Sequence, residues 1–277
     1  MKSLKYYNFV ILLSRGKMIA VLYAIKQEIN PIMEHMHVSK EFNVGDMLFY
    51  QADLNGLPVT LVQTGIGRNN AAKATELLLQ TFKINLLISS GVAGGIRPGV
   101  NLGDLVIAEN VSYTRQSDFE RGVLQLESSF SCKEGFVELA KKVSKDSDVV
   151  SHCGDLLTVD KVISQARTKK KIGENATFVA VDMESAAIAE VADKRGVEFA
   201  AVRSVSDTIE DNIDIDYADI MTDDGNVKYS NLAMNIMKNP RRLAILKRLH
   251  KQTKVAAKRL SFFMVQLVPS LYDKMLG

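Results

Sequence analysis

The chain has 277 residues, is 47% hydrophobic, and carries a formal net charge of +3 with five prolines and two cysteines. This length and apolar content are enough for one large core, and no Ser/Gly-rich linker divides the sequence. Cys132 and Cys153 form no CxxC motif and the four histidines are scattered, so neither a disulfide framework nor a metal site is expected. The unclustered cysteines indicate a reducing, cytoplasmic location.

The positive charge is concentrated at the C-terminal end of the chain. Residues 239–277 contain nine Lys and Arg residues and one Asp, which leaves a net charge of −5 for the remaining sequence. An acidic body gives nucleic acid no electrostatic partner, so no nucleic-acid binding is expected. We expect three parts: an N-terminal extension over 1–17, a folded domain over 18–239, and a basic helical tail over 240–277.

Short apolar runs alternate with helical patterns along the domain. The runs predict buried strands, and an Asn-Gly pair within 46–64 predicts a hairpin between two further strands. Apolar residues at helical spacing follow in 65–82 and again in 184–196, where Gly196 is a stop signal. The alternation predicts an α/β fold: a single domain with a mixed, mostly buried central sheet flanked by helices. The strands expected outside the hairpin cover residues 18–24, 84–95, 103–111, 149–159, 176–183 and 197–207.

The tail has the pattern of a basic amphipathic helix. Apolar residues recur at alternating spacings of three and four, and Lys and Arg fill the positions between them. Two interpretations stay open. Either the apolar stripe packs on the domain or on a second subunit, or the helix makes a peripheral contact with an anionic membrane surface. The stripe consists of Leu246, Leu249, Thr253, Ala256, Leu260, Phe263 and Leu267.

Three carboxylates fall where predicted strands end. Glu28 follows the first strand, Glu184 begins a helix directly after a strand, and Asp207 ends the last strong strand. Considered singly, Glu184 could be an acid at a helix N-terminus and Asp207 a cap or turn residue. Because ligands gather at the carboxyl ends of strands in such folds, the three together predict a site for a polar, hydroxylated ligand.

The chemistry of these residue types suits a nucleoside. Two glycine-containing segments at strand ends, 64–72 and 89–95, allow a ligand to approach the backbone closely. A carboxylate that accepts both hydroxyls of a ribose holds the sugar in a bidentate way. A protonated aspartic acid that donates to purine N7 makes the base a better leaving group, and a further glutamate can deprotonate the attacking water.

Six short motifs occur in order between about Met18 and about Asp207. They are AIKQEI (24–29), TGIGRNNAA (64–72), SSGVAGG (89–95), LGDLVIAE (102–109), VAVDMESAAIA (179–189) and AAVRSVSD (200–207). In this order they resemble the purine nucleoside phosphorylase/uridine phosphorylase superfamily, most closely its methylthioadenosine/S-adenosylhomocysteine nucleosidase branch. The resemblance implies a homodimeric enzyme of nucleoside catabolism and methionine salvage that needs neither cofactor nor metal.

The resemblance also implies roles for the carboxylates and for the residue beside one of them. Glu28 matches the glutamate that activates water, and Asp207 matches the acid that protonates or hydrogen-bonds adenine N7. Glu184 matches the residue that holds the ribose hydroxyls, and Met183 the residue that packs beneath the sugar.

Five further positions are implied to bind substrate. Ile66 falls where the family contacts the 5′-substituent of the nucleoside. Ala93 and Gly94 line the base site, and Val162 and Ile163 lie where the backbone recognises adenine.

Some positions depart from the nucleosidase pattern. Val92 replaces a serine that helps phosphorylases to bind phosphate, and Val162 replaces an aromatic residue that stacks on the base. The expected reaction is hydrolysis of a 5′-modified adenosine with release of adenine. The alternative is phosphorolysis with phosphate as co-substrate, including hopanoid-associated release of adenine from adenosylhopane, for which Arg68 and Arg203 could supply cations. A third hypothesis is a storage protein without turnover, and the presence of all three carboxylates argues against it.

Overall fold

A computed structural model describes residues 17–115, 124–174, 177–213 and 241–274. Residues 1–16 of the expected extension therefore lie outside the described residues. The strands are β1 (Ile19–Tyr23), β2 (His37–Val44), β3 (Met47–Leu54), β4 (Leu57–Gln63), β5 (Leu86–Gly95), β6 (Leu105–Thr114), β7 (Leu126–Ser131), β8 (Ser151–Thr158), β9 (Phe178–Asp182) and β10 (Glu198–Asp207). The helices are α1 (Lys26–Met33), α2 (Arg68–Thr81), α3 (Phe136–Asp146), α4 (Ala166–Gly173), α5 (Ser185–Arg195) and α6 (Arg241–Lys274).

The strands form one mixed sheet, part of which closes on itself. β10 pairs with both β5 and β6, and β8 and β9 complete a ring of five strands back to β5. From β5 the sheet continues through β1, β4, β3 and β2, with β7 added to the edge of β6. Every residue of β1 and of β9 is buried, as expected for strands covered on both faces. The predicted α/β fold with a mixed central sheet flanked by helices is confirmed.

The hairpin predicted from its Asn-Gly pair joins β3 to β4. Asn55 and Gly56 both have positive φ, of 55° and 87°, which is the conformation of a type I′ turn. The antiparallel register pairs Leu54 with Leu57 across the turn. The hairpin brings β4 beside β1, so the chain after β4 begins next to the end of β1.

Several elements have no apolar pattern in the sequence. β2 and β7 lie at exposed parts of the sheet, where side chains alternate between exposed and half-buried, so neither reads as an apolar run. α4 is a short basic helix that buries only Lys169 and Ile172. These elements form because neighbouring strands and helices supply their partners.

The apolar stripe of the C-terminal helix packs on the domain. Leu260, Phe263 and Leu267 are 0–1% exposed and join the same core cluster as β1 and β5. The helix contacts α1, α3, β5 and β10. The basic residues between the stripe positions stay exposed, at Lys247, Arg248, Lys251, Lys254, Lys258 and Arg259. Of the two interpretations left open, burial of the stripe against the domain is the one observed.

The strand order determines where a ligand can bind. β5 lies between β1 and β10 and is parallel to both, so the carboxyl ends of the three strands lie side by side. β9 crosses the end of β5 in antiparallel orientation, with Gly94 opposite Val181. The segments that follow β1, β9 and β10 therefore meet at one edge of the sheet.

The helix α6 offers a matched pair of phenylalanines that tests its packing. Phe263 is fully buried, whereas Phe262 is 45% exposed beside His35. Phe263→Ala is expected to lower the free energy of unfolding by about 3–5 kcal/mol, because it leaves a cavity in the core. Phe262→Ala is the control and should cost less than about 1 kcal/mol. Chemical denaturation measures both, and equal losses would contradict the observed packing.

Candidate active site

One cavity, open at its mouth, lies at the converging strand ends. Its wall combines apolar side chains with a few buried charged groups, as is typical of small-molecule sites. All nine residues that the sequence assigned to catalysis or to substrate binding line this cavity. These residues are Glu28, Ile66, Ala93, Gly94, Val162, Ile163, Met183, Glu184 and Asp207.

Glu28 is a buried carboxylate held by backbone amides. It is the third residue of α1, and its side chain turns back to accept hydrogen bonds from the N–H groups of Ala24 (2.9 Å) and Ile25 (3.1 Å). Its other oxygen accepts from the N–H of Val92 at 2.9 Å. Burial raises the pKa of Glu28 above its usual value, against the opposing effects of Arg203 and these amides. A carboxylate with a raised pKa and a fixed orientation is suited to act as a general base.

Glu184 lines the cavity and does not cap α5 through its side chain. It directly precedes α5, yet its side chain makes no capping hydrogen bond to that helix. The free amides of α5 are satisfied instead by Asp182 Oδ2, which accepts from Ser185 N–H, and by Thr158 Oγ1, which accepts from Ala186 N–H. Glu184 accepts a hydrogen bond from the N–H of Gly67 at 2.8 Å. Burial raises the pKa of Glu184 to about 7.

Arg203 is a buried counter-charge behind the carboxylates. Its side chain is 1% exposed and donates to Asp182 Oδ2 at 2.6 Å. It also donates to the carbonyl of Ser90 and to the hydroxyls of Ser89 and Ser185, each at 2.9 Å. Arg203 does not line the cavity. It is therefore not placed to bind a phosphate there. The sequence offered a signal for this, because an arginine within a buried apolar strand is expected to be paired with an acid.

Arg68, the second cation considered for phosphate, also does not line the cavity. Its guanidinium lies 3.4 Å from the centre of the Tyr113 ring. It also lies 3.9 Å from both Asp160 and Glu190. These contacts direct its charge toward α5 and the loop after β8.

Asp207 is paired with a lysine that the sequence reasoning missed. Lys169 Nζ donates to Asp207 Oδ2 and to the carbonyl of Thr208 at 2.9 Å, and its side chain is 1% exposed. Ser206 Oγ donates to Asp207 Oδ1 at 2.8 Å. No local pattern distinguishes Lys169 from its basic neighbours on α4. Its only signal is its spacing of three from Ile172, the other buried residue of that helix.

Much of the remaining wall is apolar, and part of it comes from the tail. Val162 packs against a small cluster formed by Ile213 of the loop after β10 and Leu249 of α6. Thr253, one turn further along α6, lines the cavity itself. The sequence assigned this helix no part in the site, because it follows the last motif of the family resemblance.

The cavity is rich in acids. Four carboxylates line it: Glu28, Asp182, Glu184 and Asp207. Among the described residues of its wall, Lys169 is the one cationic side chain, and it is engaged by Asp207. Within the described ranges, no group of three or more His, Cys, Asp or Glu side chains is arranged to hold a metal ion.

The raised pKa of Glu184 gives a pH-dependent stability prediction. Its pKa rises from 4.5 to about 7 on folding, so the folded state holds this proton more tightly than the unfolded state. The resulting contribution to stability is complete below pH 4.5 and is lost as the pH rises toward 7, by on the order of 3 kcal/mol. Glu184→Gln should therefore be more stable relative to the native protein at pH 8 than at pH 4.5.

Thermal unfolding at the two pH values measures this difference. Glu138→Gln is the control, because Glu138 is 78% exposed and should give the same offset at both values. An offset for Glu184→Gln that does not change with pH would contradict the burial of this carboxylate.

Gly91 is required for the close approach of Arg203 and Glu28. It has φ of +140°, and a Cβ there would lie 2.5 Å from Arg203 Nη1 and 2.7 Å from Glu28 Oε1. Gly91→Ala should lower the free energy of unfolding by about 2 kcal/mol more than Gly99→Ala. Gly99 also has positive φ, but its added Cβ would meet nothing within 4 Å. Denaturant titration compares the variants, and equal losses would show that the contact is not tight.

Comparison with known proteins gives a consistent result. A family model described as the phosphorylase superfamily matches residues 18–233. The 5′-methylthioadenosine/S-adenosylhomocysteine nucleosidase of Maridesulfovibrio salexigens is 31% identical over 201 residues, which cover 70% of this chain and 87% of that protein. The nucleosidase of the same name from Staphylococcus aureus is 29% identical over 206 residues, covering 72% of this chain and 90% of the relative.

Solved structures show the same similarity. The crystal structure of the nucleosidase from Neisseria meningitidis in complex with methylthio-immucillin-A matches with a TM-score of 0.71 and 25% identity, over 92% of this chain and all of that one. Futalosine hydrolase of Helicobacter pylori matches with a TM-score of 0.69 at 21% identity, over 91% and 97% of the two chains, and shares the fold. The resemblance seen in the six motifs is confirmed, and this chain belongs to the phosphorylase superfamily.

Proposed function

We propose that this protein hydrolyses the N-glycosidic bond of a 5′-modified adenosine and releases adenine. The observation that carries the proposal is the convergence of Glu28, Glu184 and Asp207 on one cavity. The similarity to 5′-methylthioadenosine/S-adenosylhomocysteine nucleosidases supports the reaction and the substrate class.

The three carboxylates divide the chemical work. Glu184 accepts hydrogen bonds from the ribose hydroxyls, and its negative charge stabilises the positive charge that develops on the sugar. Asp207 hydrogen-bonds the purine and assists its departure with the bonding electron pair. Glu28 takes a proton from the water that attacks the anomeric carbon.

The charges of the cavity support water over phosphate as the nucleophile. A phosphate dianion needs cationic or amide donors, and the cavity presents four carboxylates and one engaged lysine among its described residues. The two arginines considered for phosphate do not line the cavity, and Val92 offers no hydroxyl. Hydrolysis is therefore favoured over phosphorolysis, including phosphorolysis of adenosylhopane.

The apolar wall supports an apolar 5′-substituent. Ile66, Val92 and Val162 line the cavity together with Ile25 and Ile213. Hydrocarbon or thioether groups gain from burial against such a surface, at about 25 cal/mol per Å². A short alkylthio group and a longer lipid-like group both satisfy this description, so adenosine and inosine, which carry neither, are the informative comparison substrates.

Assembly and membrane contact form a separate part of the proposal. We infer a homodimer from the family, and light scattering on the purified chain tests it. The apolar stripe that membrane binding would use is buried against the domain. No helix in the described part of the chain is long and apolar enough to cross a bilayer.

The reaction itself is tested by base release. Purified protein is incubated with 5′-methylthioadenosine, S-adenosylhomocysteine, adenosine and inosine, each with and without phosphate. We expect adenine from the first two compounds at rates that phosphate does not change. Strict dependence on phosphate would overturn hydrolysis, and no release from any of the four would overturn the proposed substrate class.

Asp207→Asn tests the division of work in the site. The amide preserves the shape of the side chain but cannot pass a proton to the base, so kcat should fall by about 10²–10⁴-fold with KM changed only a few-fold. The control is Glu210→Gln, whose side chain is 70% exposed, and steady-state kinetics on the best substrate compare the two. An unchanged kcat for Asp207→Asn would remove this residue from the mechanism.

A further inference from the structure

A fully buried lysine lies in the wall of the cavity without a role in the reaction described above. Lys169 is 1% exposed, whereas its neighbour Lys170 is 51% exposed and pairs with Glu210 at the surface. Burying an ammonium group is costly unless its hydrogen bonds are satisfied. Lys169 satisfies them at one place, on Asp207 Oδ2 and the adjacent carbonyl of Thr208.

The hydrogen bonds around Asp207 favour its ionised form. Lys169 Nζ donates to Oδ2 of Asp207, and Ser206 Oγ lies 2.8 Å from Oδ1 and 3.3 Å from the carbonyl oxygen of Ala93. Donation from an ammonium group to Oδ2 stabilises the ionised form of this carboxyl, in which it holds no proton of its own. A purine that leaves with the bonding electron pair needs one proton, and the nearest in this arrangement is on the ammonium of Lys169.

We propose that Lys169 is the positioning residue that supplies the proton of the leaving base through Asp207. The inference rests on the proposed function. As the glycosidic bond breaks, its electron pair goes to the base. The base takes a proton through Asp207, and Lys169 passes its own proton to Asp207 and becomes neutral. Glu28 takes a proton from the attacking water, so one proton enters the base and one leaves the water. Exchange with solvent then returns Lys169 and Glu28 to their starting forms.

A purely structural ion pair is the competing explanation. The two explanations differ in what they require of the leaving group. A structural pair holds α4 against the end of β10, so its loss should lower kcat equally for every substrate. Loss of a proton source should lower kcat for purines, because they leave poorly as anions. It should not lower kcat for a group that leaves readily as an anion.

The test compares Lys169→Met and Lys169→Arg with the matched control Lys170→Met on the same helix. Each is assayed with the purine nucleoside that the native protein cleaves best, and with 4-nitrophenyl riboside, whose leaving group needs no proton. Lys169→Met should lower kcat on the purine nucleoside by about 10²-fold or more with KM changed only a few-fold. Lys169→Arg should be impaired almost as strongly on the purine nucleoside, because a guanidinium keeps a positive charge beside Asp207 but does not give up its proton. Lys170→Met should have the native kcat.

The nitrophenyl riboside gives the readout that a structural role would not move. If the native protein cleaves it, Lys169→Met should retain its rate within about threefold, because this leaving group requires no general acid. An equal fall on both substrates would overturn the proposal. Recovery of most of the native kcat in Lys169→Arg, or an unchanged kcat in Lys169→Met on the purine nucleoside, would also overturn it.

Folding is monitored separately by thermal unfolding and by the affinity for adenine. If Lys169→Met does not fold, Lys169→Gln takes its place and the same comparisons decide. Failure of the proposed function is distinct from failure of this inference. In the first case the native protein itself releases no base, whereas in the second it does and the lysine variants do so equally well.

Discussion

The buried guanidinium of Arg203 is the interaction on which the arrangement of the site depends. It joins β10 to the carbonyl of Ser90 on β5 and to Asp182 at the end of β9. It also bonds the hydroxyl of Ser185 in the first turn of α5, and it lies 3.8 Å from Glu184 Oε2. Removing either partner of such a pair would leave an isolated charge in the core, which costs about 3–5 kcal/mol. The three strands and the helix are therefore held in one relative position.

The same counter-charge makes a cluster of acids tolerable inside the protein. Asp182 neutralises Arg203 directly, which leaves Glu28 and Glu184 only partly compensated, and burial raises the pKa of both. An ordinary carboxylate would be a weak base at neutral pH, whereas Glu28, with its raised pKa, is closer to the working range of a general base. Because ionising these buried carboxylates is unfavourable, the preorganised site lowers the stability of the folded state near and above neutral pH. Lys169 has the corresponding role of counter-charge for Asp207.

The sequence predicted those parts of the structure that are determined by residues close together in the chain. Buried runs predicted most strands of the core, and an Asn-Gly pair predicted the turn at Asn55. The motifs assigned Glu28, Glu184 and Asp207 to one site, because each follows or ends a predicted strand. Lys169 could not be found in this way, because its burial depends on how α4 packs beside β9 and near the end of β10. The same holds for Thr253, which lines the cavity only because α6 folds back across the domain.

The central claim is that this carboxylate-lined cavity activates water, and the fate of the sugar tests it most directly. The native protein is incubated with 5′-methylthioadenosine in H₂¹⁸O containing an excess of phosphate, and the sugar product is analysed by mass spectrometry and ³¹P NMR. We predict that one ¹⁸O atom is incorporated at the anomeric carbon and that no sugar 1-phosphate forms. Accumulation of sugar 1-phosphate without label in the sugar would contradict this account.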